Sequence, residues 1–210
     1  MNMLRYEKLP DVTKNLIILN AVVFLATSLN GGLLPILGLY SIFDERFNPY
    51  QLVTHLFTHA NLMHIFFNMF TLYMFGRVLE NVLGPKRFAI LYFATGLGAV
   101  LLNVFLDFLQ LQGIINFNTD VNISFSIGAS GAVYGIMVAF AMLFPNTELL
   151  IYFIVPLKAK VFIPLLILAE IYMEVSRSPG DNVGHAAHLG GALIGFIVIK
   201  IWSKDRTRFY

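Results

Sequence analysis

The chain has 210 residues, of which 58% are hydrophobic and only 12% are charged, and its mean hydropathy is +0.74. A soluble domain carries about twice that charged fraction, so the composition predicts a protein whose outer surface faces lipid. The absence of cysteine excludes disulfides, thiol catalysis and cysteine-ligated metals. The net charge is only +2 and the basic residues are scattered, which speaks against a nucleic-acid partner.

Six apolar segments follow in chain order, most of them near the roughly 20 residues that cross a bilayer as a helix. The first has no obvious signal-peptide cleavage site and is interpreted as a retained anchor. No linker divides the chain, so we expect one domain over residues 1–210, with short cytoplasmic ends at about 1–14 and 204–210. The sequence therefore predicts an all-α membrane protein with six transmembrane helices. The predicted helices cover about residues 15–29, 62–79, 88–107, 130–144, 160–175 and 185–203.

The basic residues predict how these helices are oriented. With the N-terminus in the cytoplasm, 12 of the 14 lysines and arginines lie on the inner side, and only Arg46 and Arg177 lie outside. Because cytoplasmic loops carry the excess of Lys and Arg, we expect both termini in the cytoplasm, in a bacterial inner membrane. The outer loop at about Asn30–Tyr50 is apolar at its start, so we expect it to rest in the membrane interface.

Polar side chains concentrate toward the outer side of the membrane in three of the segments. His64 and Asn68 lie on the second segment, Ser130 begins the fourth, and His185 and His188 begin the sixth. Polar and ionisable groups inside a bilayer are costly and usually mark function. Their convergence at one depth predicts a functional site.

The fourth segment is too short to span the bilayer from Ser130. From Ser130 to Phe144 there are 15 residues, or roughly 22 Å of helix against a hydrocarbon core of about 30 Å. We therefore expect Ser130 at a submerged helix start beside water. Free N–H groups there favour negative charge, and a histidine can activate a serine as a nucleophile. A packing spacer or a helix cap remains an alternative for Ser130, since Gly131–Gly135 and Gly191–Gly195 form small-residue pairs that often serve helix packing.

The remaining histidines and the buried carboxylate are open to more than one interpretation. His64 and Asn68 are four residues apart and share a helix face, so they can donate hydrogen bonds to an oxyanion or form an interhelical latch. His55, His59 and His64 suggest a metal site, but the glutamate of an HExxH motif is missing. We therefore expect no metal and no cofactor. Glu170 has no obvious partner. It could tune a site, but a local hydrogen-bonding role near the outer interface is expected for it.

Two histidines begin the sixth segment, and their depths differ. His185, His188 and Gly191 are spaced by three and lie along roughly one helix face. His185 is nearer the surface by about 4.5 Å. The deeper His188 suits a submerged Ser130 better, whereas His185 is expected at most to hold water at the cavity mouth.

Four short motifs occur in a fixed order on the second, fourth and sixth segments. They are "HIFFN" at His64–Asn68, "GRVLE" at Gly76–Glu80, "GASG" at Gly128–Gly131 and "AHLGG" at Ala187–Gly191. With these motifs, over about residues 12–203, the chain resembles the rhomboid family of intramembrane serine proteases.

The resemblance implies a Ser-His dyad, with Ser130 as the nucleophile and His188 as the general base. It implies that His64, Asn68 and the Ser130 backbone N–H stabilise the oxyanion. It also implies that Tyr134 packs against the catalytic histidine, with Gly128 and Gly131 supporting the serine. The chain departs from the pattern at Tyr50-Gln51, where many members have Trp-Arg. This departure concerns the anchoring of the outer loop rather than the chemistry.

The leading hypothesis is therefore an endopeptidase that cleaves peptide bonds in or near the transmembrane segments of single-span membrane proteins, within the lipid bilayer. A non-catalytic rhomboid-like protein that binds membrane clients is a second hypothesis, but such a protein normally lacks the serine or the histidine. A small transporter is a third, for which broken helices in paired halves are expected.

Overall fold

The computed structural model describes residues 8–115, 125–151, 154–176 and 183–204. Arg177 and the parts of the two predicted terminal segments at residues 1–7 and 205–210 lie outside the described residues.

All six predicted segments are helical. The second is interrupted by one π-helical turn at Leu72–Gly76. Two short helices, at Leu33–Leu37 and Gln51–Thr54, and a 3₁₀ turn at His55–Phe57 lie in the loop before it. The helices are α1 (Asp11–Leu29), α2 (Leu33–Leu37), α3 (Gln51–Thr54), α4 (Leu62–Thr71), α5 (Arg77–Leu83), α6 (Pro85–Leu111), α7 (Ser130–Leu143), α8 (Ala159–Ser176) and α9 (His185–Trp202).

Four of these helical stretches are long and apolar enough to cross a membrane: α1, the run from α4 to α5, α6 and α9. Helix α7 is apolar but shorter, and α8 carries Lys160, Glu170 and Glu174. The outer faces present large apolar side chains, as expected of surfaces that contact lipid. Five of these exposed apolar residues, each 60–72% exposed, are Leu25, Leu62, Leu101, Leu168 and Ile201. The chain is therefore a multi-pass membrane protein.

The described residues also form four short strands that the sequence did not predict. Strand β1 (Leu39–Tyr40) pairs antiparallel with β2 (Phe125–Ser126), and β3 (Glu148–Ile151) pairs with β4 (Val155–Lys158). Strands of two residues are too short to show alternation in the sequence. The first pair ties the outer loop to the segment that leads into α7.

Gln51 anchors this outer loop. Its side chain is 1% exposed, and its Oε1 accepts hydrogen bonds from the backbone N–H groups of Tyr40 at 3.4 Å and Asn48 at 3.1 Å. Its Nε2 donates to the carbonyls of Ile36 and Arg46, both at 3.3 Å. The amide thus satisfies four backbone groups of the loop, so a glutamine in place of the Trp-Arg pattern still holds the loop in place.

Glu80, the last residue of the "GRVLE" motif, caps the start of α1. Its Oε1 accepts from the Val12 N–H at 2.9 Å, and its Oε2 accepts from the N–H and the hydroxyl of Thr13, both at 2.7 Å. The first N–H groups of a helix have no partner within the helix, and a carboxylate there is also stabilised by the helix dipole. This contact fixes α1 to α5 at the inner side of the bundle.

Helices α7 and α9 touch through their backbones. A Cβ added to Gly191 would lie 1.9 Å from the Gly131 carbonyl oxygen, and one added to Gly195 would lie 2.4 Å from the Gly135 oxygen. No side chain fits at either position without separating the helices. The glycine pairs therefore do serve helix packing, and they bring the start of α7 against the start of α9.

Gly191→Ala is expected to destabilise the bundle because its methyl group would overlap the α7 backbone. Overpacking of this kind costs about 1–3 kcal/mol or more, which thermal unfolding in detergent micelles would show as a lower midpoint. Gly31→Ala is the matched control, since nothing lies within 4 Å of a Cβ at that position. Equal midpoints for the two variants would contradict the proposed contact.

Candidate active site

Ser130 is the first residue of α7, as the sequence predicted. The N-cap residue is Ala129, and no side chain caps this helix, so the interpretation of Ser130 as a helix cap is wrong. The helix has 14 residues, or roughly 21 Å, which is shorter than the hydrocarbon core of about 30 Å. The chain enters it through Gly128, whose φ of 113° lies in the region that favours glycine.

The ring of His64 lies against the turn that precedes Ser130. A Cβ on Gly128 would be 2.6 Å from His64 Nε2, so only a glycine allows this approach. The Nδ1 atom of the same ring is 3.4 Å from the Ala60 N–H, from which it accepts. In a neutral ring this assigns the hydrogen to Nε2, which makes the atom nearest Gly128 a donor.

Asn68 is buried one turn further along α4. Its Nδ2 donates to the His64 carbonyl at 2.8 Å, which uses one of the two amide hydrogens and leaves the other for a further acceptor. The latch interpretation required a bond from Asn68 to another helix. Among the described contacts its bond is to its own helix.

Within the described residues, His55, His59 and His64 do not bring three ligand atoms close enough together to share a metal ion. The Nδ1 of His55 lies 2.7 Å from the Gln51 carbonyl oxygen. The His59 ring packs edge-on against His64 with centroids 4.9 Å apart. These contacts are those of a packed cluster.

His188 is held in place by two neighbours. Its ring stacks on Tyr134 with centroids 4.2 Å apart and planes 9° from parallel, the contact that the resemblance implied. Its Nδ1 lies 2.9 Å from Glu170 Oε2. The imidazole is buried and restrained both across its face and in its plane.

Glu170 lies at the centre of a hydrogen-bonded cluster that sequence reasoning missed. Its Oε1 accepts from the Tyr134 hydroxyl, and its Oε2 lies 2.6 Å from His185 Nδ1 and 2.9 Å from His188 Nδ1. The expectation of a local role was wrong, because all three partners come from other helices. His185 is also buried, at 5% exposed. The interpretation that it lies at a cavity mouth and holds water there was wrong, because the ring is covered and its Nδ1 binds Glu170.

A depth estimate is the signal that could have found this cluster. Glu170 lies six residues before the end of α8, whereas Tyr134 and His188 lie four and three residues after the starts of α7 and α9. Helix α8 runs toward the outer side and the other two run away from it. At 1.5 Å per residue the three side chains lie within about 5 Å of one depth.

The same cluster is the one place in the described residues where three ligand atoms lie close enough for a metal ion, within 4.8 Å of one another. Zinc held tetrahedrally at about 2.0–2.2 Å would separate its ligand atoms by roughly 3.3 Å. The observed separations of 2.6 and 2.9 Å from Oε2 to the two Nδ1 atoms are instead those of hydrogen bonds. We therefore interpret the cluster as a hydrogen-bonded network.

Ser130 and His188 lie on adjoining turns of two helices in contact. A Cβ on Gly131 would be 3.1 Å from the carbonyl oxygen of Ala187, so the residues that follow Ser130 and precede His188 touch. No hydrogen bond joins the Ser130 hydroxyl to His188 among the described contacts. Such bonds are often long in unliganded sites and tighten when substrate binds.

Comparison with known proteins gives one family. The family model described as "Rhomboid domain" matches residues 46–205. Rhomboid-like protein 12, mitochondrial, of Arabidopsis thaliana is 28% identical over 95% of this chain and 60% of its own length. The putative rhomboid protease YdcA of Bacillus subtilis is 28% identical over 77% of this chain and 71% of its own length. The rhomboid protease AarA of Providencia stuartii is 26% identical over 67% of this chain and 51% of its own length. The chain spans about half the length of several of the curated relatives that it matches.

Proposed function

The chain belongs to the rhomboid family, and from this premise we propose that it is an intramembrane serine endopeptidase. It cleaves peptide bonds in or near the transmembrane segments of single-span membrane proteins. The observation that supports this most directly is the backbone contact between α7 and α9, which places the turn that carries Ser130 beside the turn that carries His188.

In the proposed reaction, Ser130 Oγ attacks the carbonyl carbon of the substrate while His188 Nε2 takes the hydroxyl proton. The peptide bond then breaks as the imidazolium returns this proton to the leaving amine. A water molecule, activated by the same histidine, hydrolyses the acyl-enzyme and restores the serine. The chain's own groups supply the nucleophile, the base and the donors.

The donors for the tetrahedral oxyanion are proposed to be the Ser130 N–H, His64 Nε2–H and the second Asn68 amide hydrogen. The first N–H groups of α7 have no partner within the helix and favour negative charge at this end. His64 contacts the turn before Ser130 through the atom that carries its hydrogen. These contacts support an oxyanion hole that exists before substrate arrives.

The two other hypotheses receive less support. A client-binding relative without activity has no need of a base, whereas His188 is present, buried and restrained by Tyr134 and Glu170. A transporter would need a polar pathway across the bilayer. Apart from Glu80 and Thr13 at the inner side, the polar side chains discussed above gather toward the outer side instead.

We propose that the chain lies in its membrane with its basic loops on one side, and we do not assign it to one organelle or cell type. Relatives described as mitochondrial and chloroplastic stand beside the bacterial ones. They speak against restricting the protein to a bacterial inner membrane.

Ser130→Ala is expected to abolish cleavage of a single-span test substrate by the purified protein in liposomes, because no other group supplies the nucleophile. His188→Ala should abolish both cleavage and labelling of Ser130 by a fluorophosphonate. Ser203→Ala, at the far end of α9, is the control and should retain full activity. Cleavage at the wild-type rate by purified Ser130→Ala would contradict the assignment.

Asn68→Ala is expected to lower kcat by about 10²–10³ with little change in KM, since an oxyanion donor acts in the transition state. Steady-state kinetics on the same substrate would measure this. Asn81→Ala, which changes an exposed asparagine of α5, provides the control. A raised KM with unchanged kcat would instead assign Asn68 to substrate binding.

A further inference from the structure

We propose that Glu170 is a positioning residue that acts on the reaction through His188, so that the site contains a carboxylate, a histidine and a serine rather than a dyad alone. This inference rests on the proposed function of Ser130 and His188. It adds to that function a residue on α8, which none of the four sequence motifs includes.

The hydrogen bonds fix the tautomer of His188. An ionised carboxylate only accepts hydrogen bonds, so the 2.9 Å contact between Glu170 Oε2 and His188 Nδ1 requires a hydrogen on Nδ1. In the neutral ring the lone pair is then on Nε2. That is the form of imidazole that can take a proton from a serine hydroxyl.

The contacts also fix the orientation of the ring. Stacking on Tyr134 restrains the tilt of the imidazole, and the bond to Glu170 restrains its rotation within the plane. Tyr134 also donates to Glu170 Oε1, so the group that stacks on the ring and the group that binds its Nδ1 hold each other. An enzyme whose catalytic imidazole is oriented in this way by a carboxylate loses activity when that carboxylate is replaced by an amide.

The charge of Glu170 serves the reaction directly. When His188 takes the serine proton it becomes a cation in a buried setting, where the interaction between charges is stronger than in water. A carboxylate 2.9 Å from its Nδ1 stabilises that cation at the moment it forms. An amide of the same shape keeps the packing but lacks this charge.

His185 shares the same oxygen, at 2.6 Å from Glu170 Oε2. Together with Tyr134 it satisfies the carboxylate from both α7 and α9, which allows a charged group to be buried on α8. The alternative role for Glu170 is therefore structural, because these bonds also hold α8 against its neighbours. The two roles differ in what they change: a structural role alters stability, whereas positioning alters kcat and the reactivity of Ser130.

Glu170→Gln tests the proposal, with Glu174→Gln as the matched control. Glu174 lies one turn further along α8 and accepts from the Ala186 backbone N–H at 3.1 Å, which a glutamine oxygen can also do. Both variants remove one negative charge from the same helix. In liposomes with a single-span test substrate, Glu170→Gln should lower kcat at least about tenfold with KM unchanged. It should slow fluorophosphonate labelling of Ser130 to a similar degree, whereas Glu174→Gln should match wild type in both.

Glu170→Asp retains the charge, so it distinguishes the effect of losing the charge from the effect of a folding defect. It should recover part of the kcat and of the labelling rate lost in Glu170→Gln. If Glu170→Gln does not fold, Glu170→Asp decides alone, since its shortened side chain should slow labelling while KM stays unchanged. Labelling and kcat at the level of Glu174→Gln, or a change in thermal midpoint with full kcat, would overturn the proposal.

The wild type and Ser130→Ala are measured in the same preparation, which keeps the two proposals distinguishable. If the wild type shows no Ser130-dependent cleavage or labelling, the proposed function is wrong and the role of Glu170 with it. If the wild type is Ser130-dependent and Glu170→Gln equals it, only the role of Glu170 is wrong.

Discussion

The backbone contact between Gly131 and Gly191 is the constraint on which the rest of the site depends. Lipid tails are as apolar as leucine, so helices in a bilayer gain little from burying apolar side chains against each other, and close packing of small residues takes that place. Here the Gly131 carbonyl oxygen occupies the space in which a Cβ of residue 191 would lie. Ser130 precedes one of these glycines by one residue, and His188 precedes the other by three. The contact therefore sets which side chains can meet.

A second set of interactions brings α8 to this pair of helices. Helix α8 has an apolar outer surface and a charged residue, Glu170, on the side that faces α7 and α9. Its carboxylate binds one donor from α7 and two from α9. A buried charge is tolerated because each oxygen is satisfied. Polar bonds thus attach α8 to α7 and α9, whereas glycine contacts attach α7 to α9. One of these polar bonds is made by His188, the proposed base.

The sequence predicted most of what depends on local pattern. Hydropathy located all six long helices and placed the start of the fourth at Ser130, where α7 begins. The spacing of glycines indicated that α7 and α9 pack closely. These features were accessible because length, periodicity and small-residue spacing are properties of a single segment.

The features that were missed depend on pairs of segments. Glu170 binds residues 15, 18 and 36 positions away in the chain, and no pattern within α8 records them. The four backbone bonds of Gln51 likewise form only when the outer loop folds back on itself. The two-residue strands β1 and β2 form only when this loop meets the segment that leads into α7. The expectation that His185 lies at a cavity mouth was wrong because height along α9 does not tell which neighbour covers a residue. That neighbour is Glu170.

Peptide mapping of the fluorophosphonate adduct tests the central claim most directly. The folded protein in liposomes is treated with the reagent, digested, and the modified residue identified by mass spectrometry. An activated serine at the start of α7 predicts one adduct, on Ser130 Oγ, whose formation requires His188. An adduct on a different residue, with Ser130 unmodified, would contradict this account of the site.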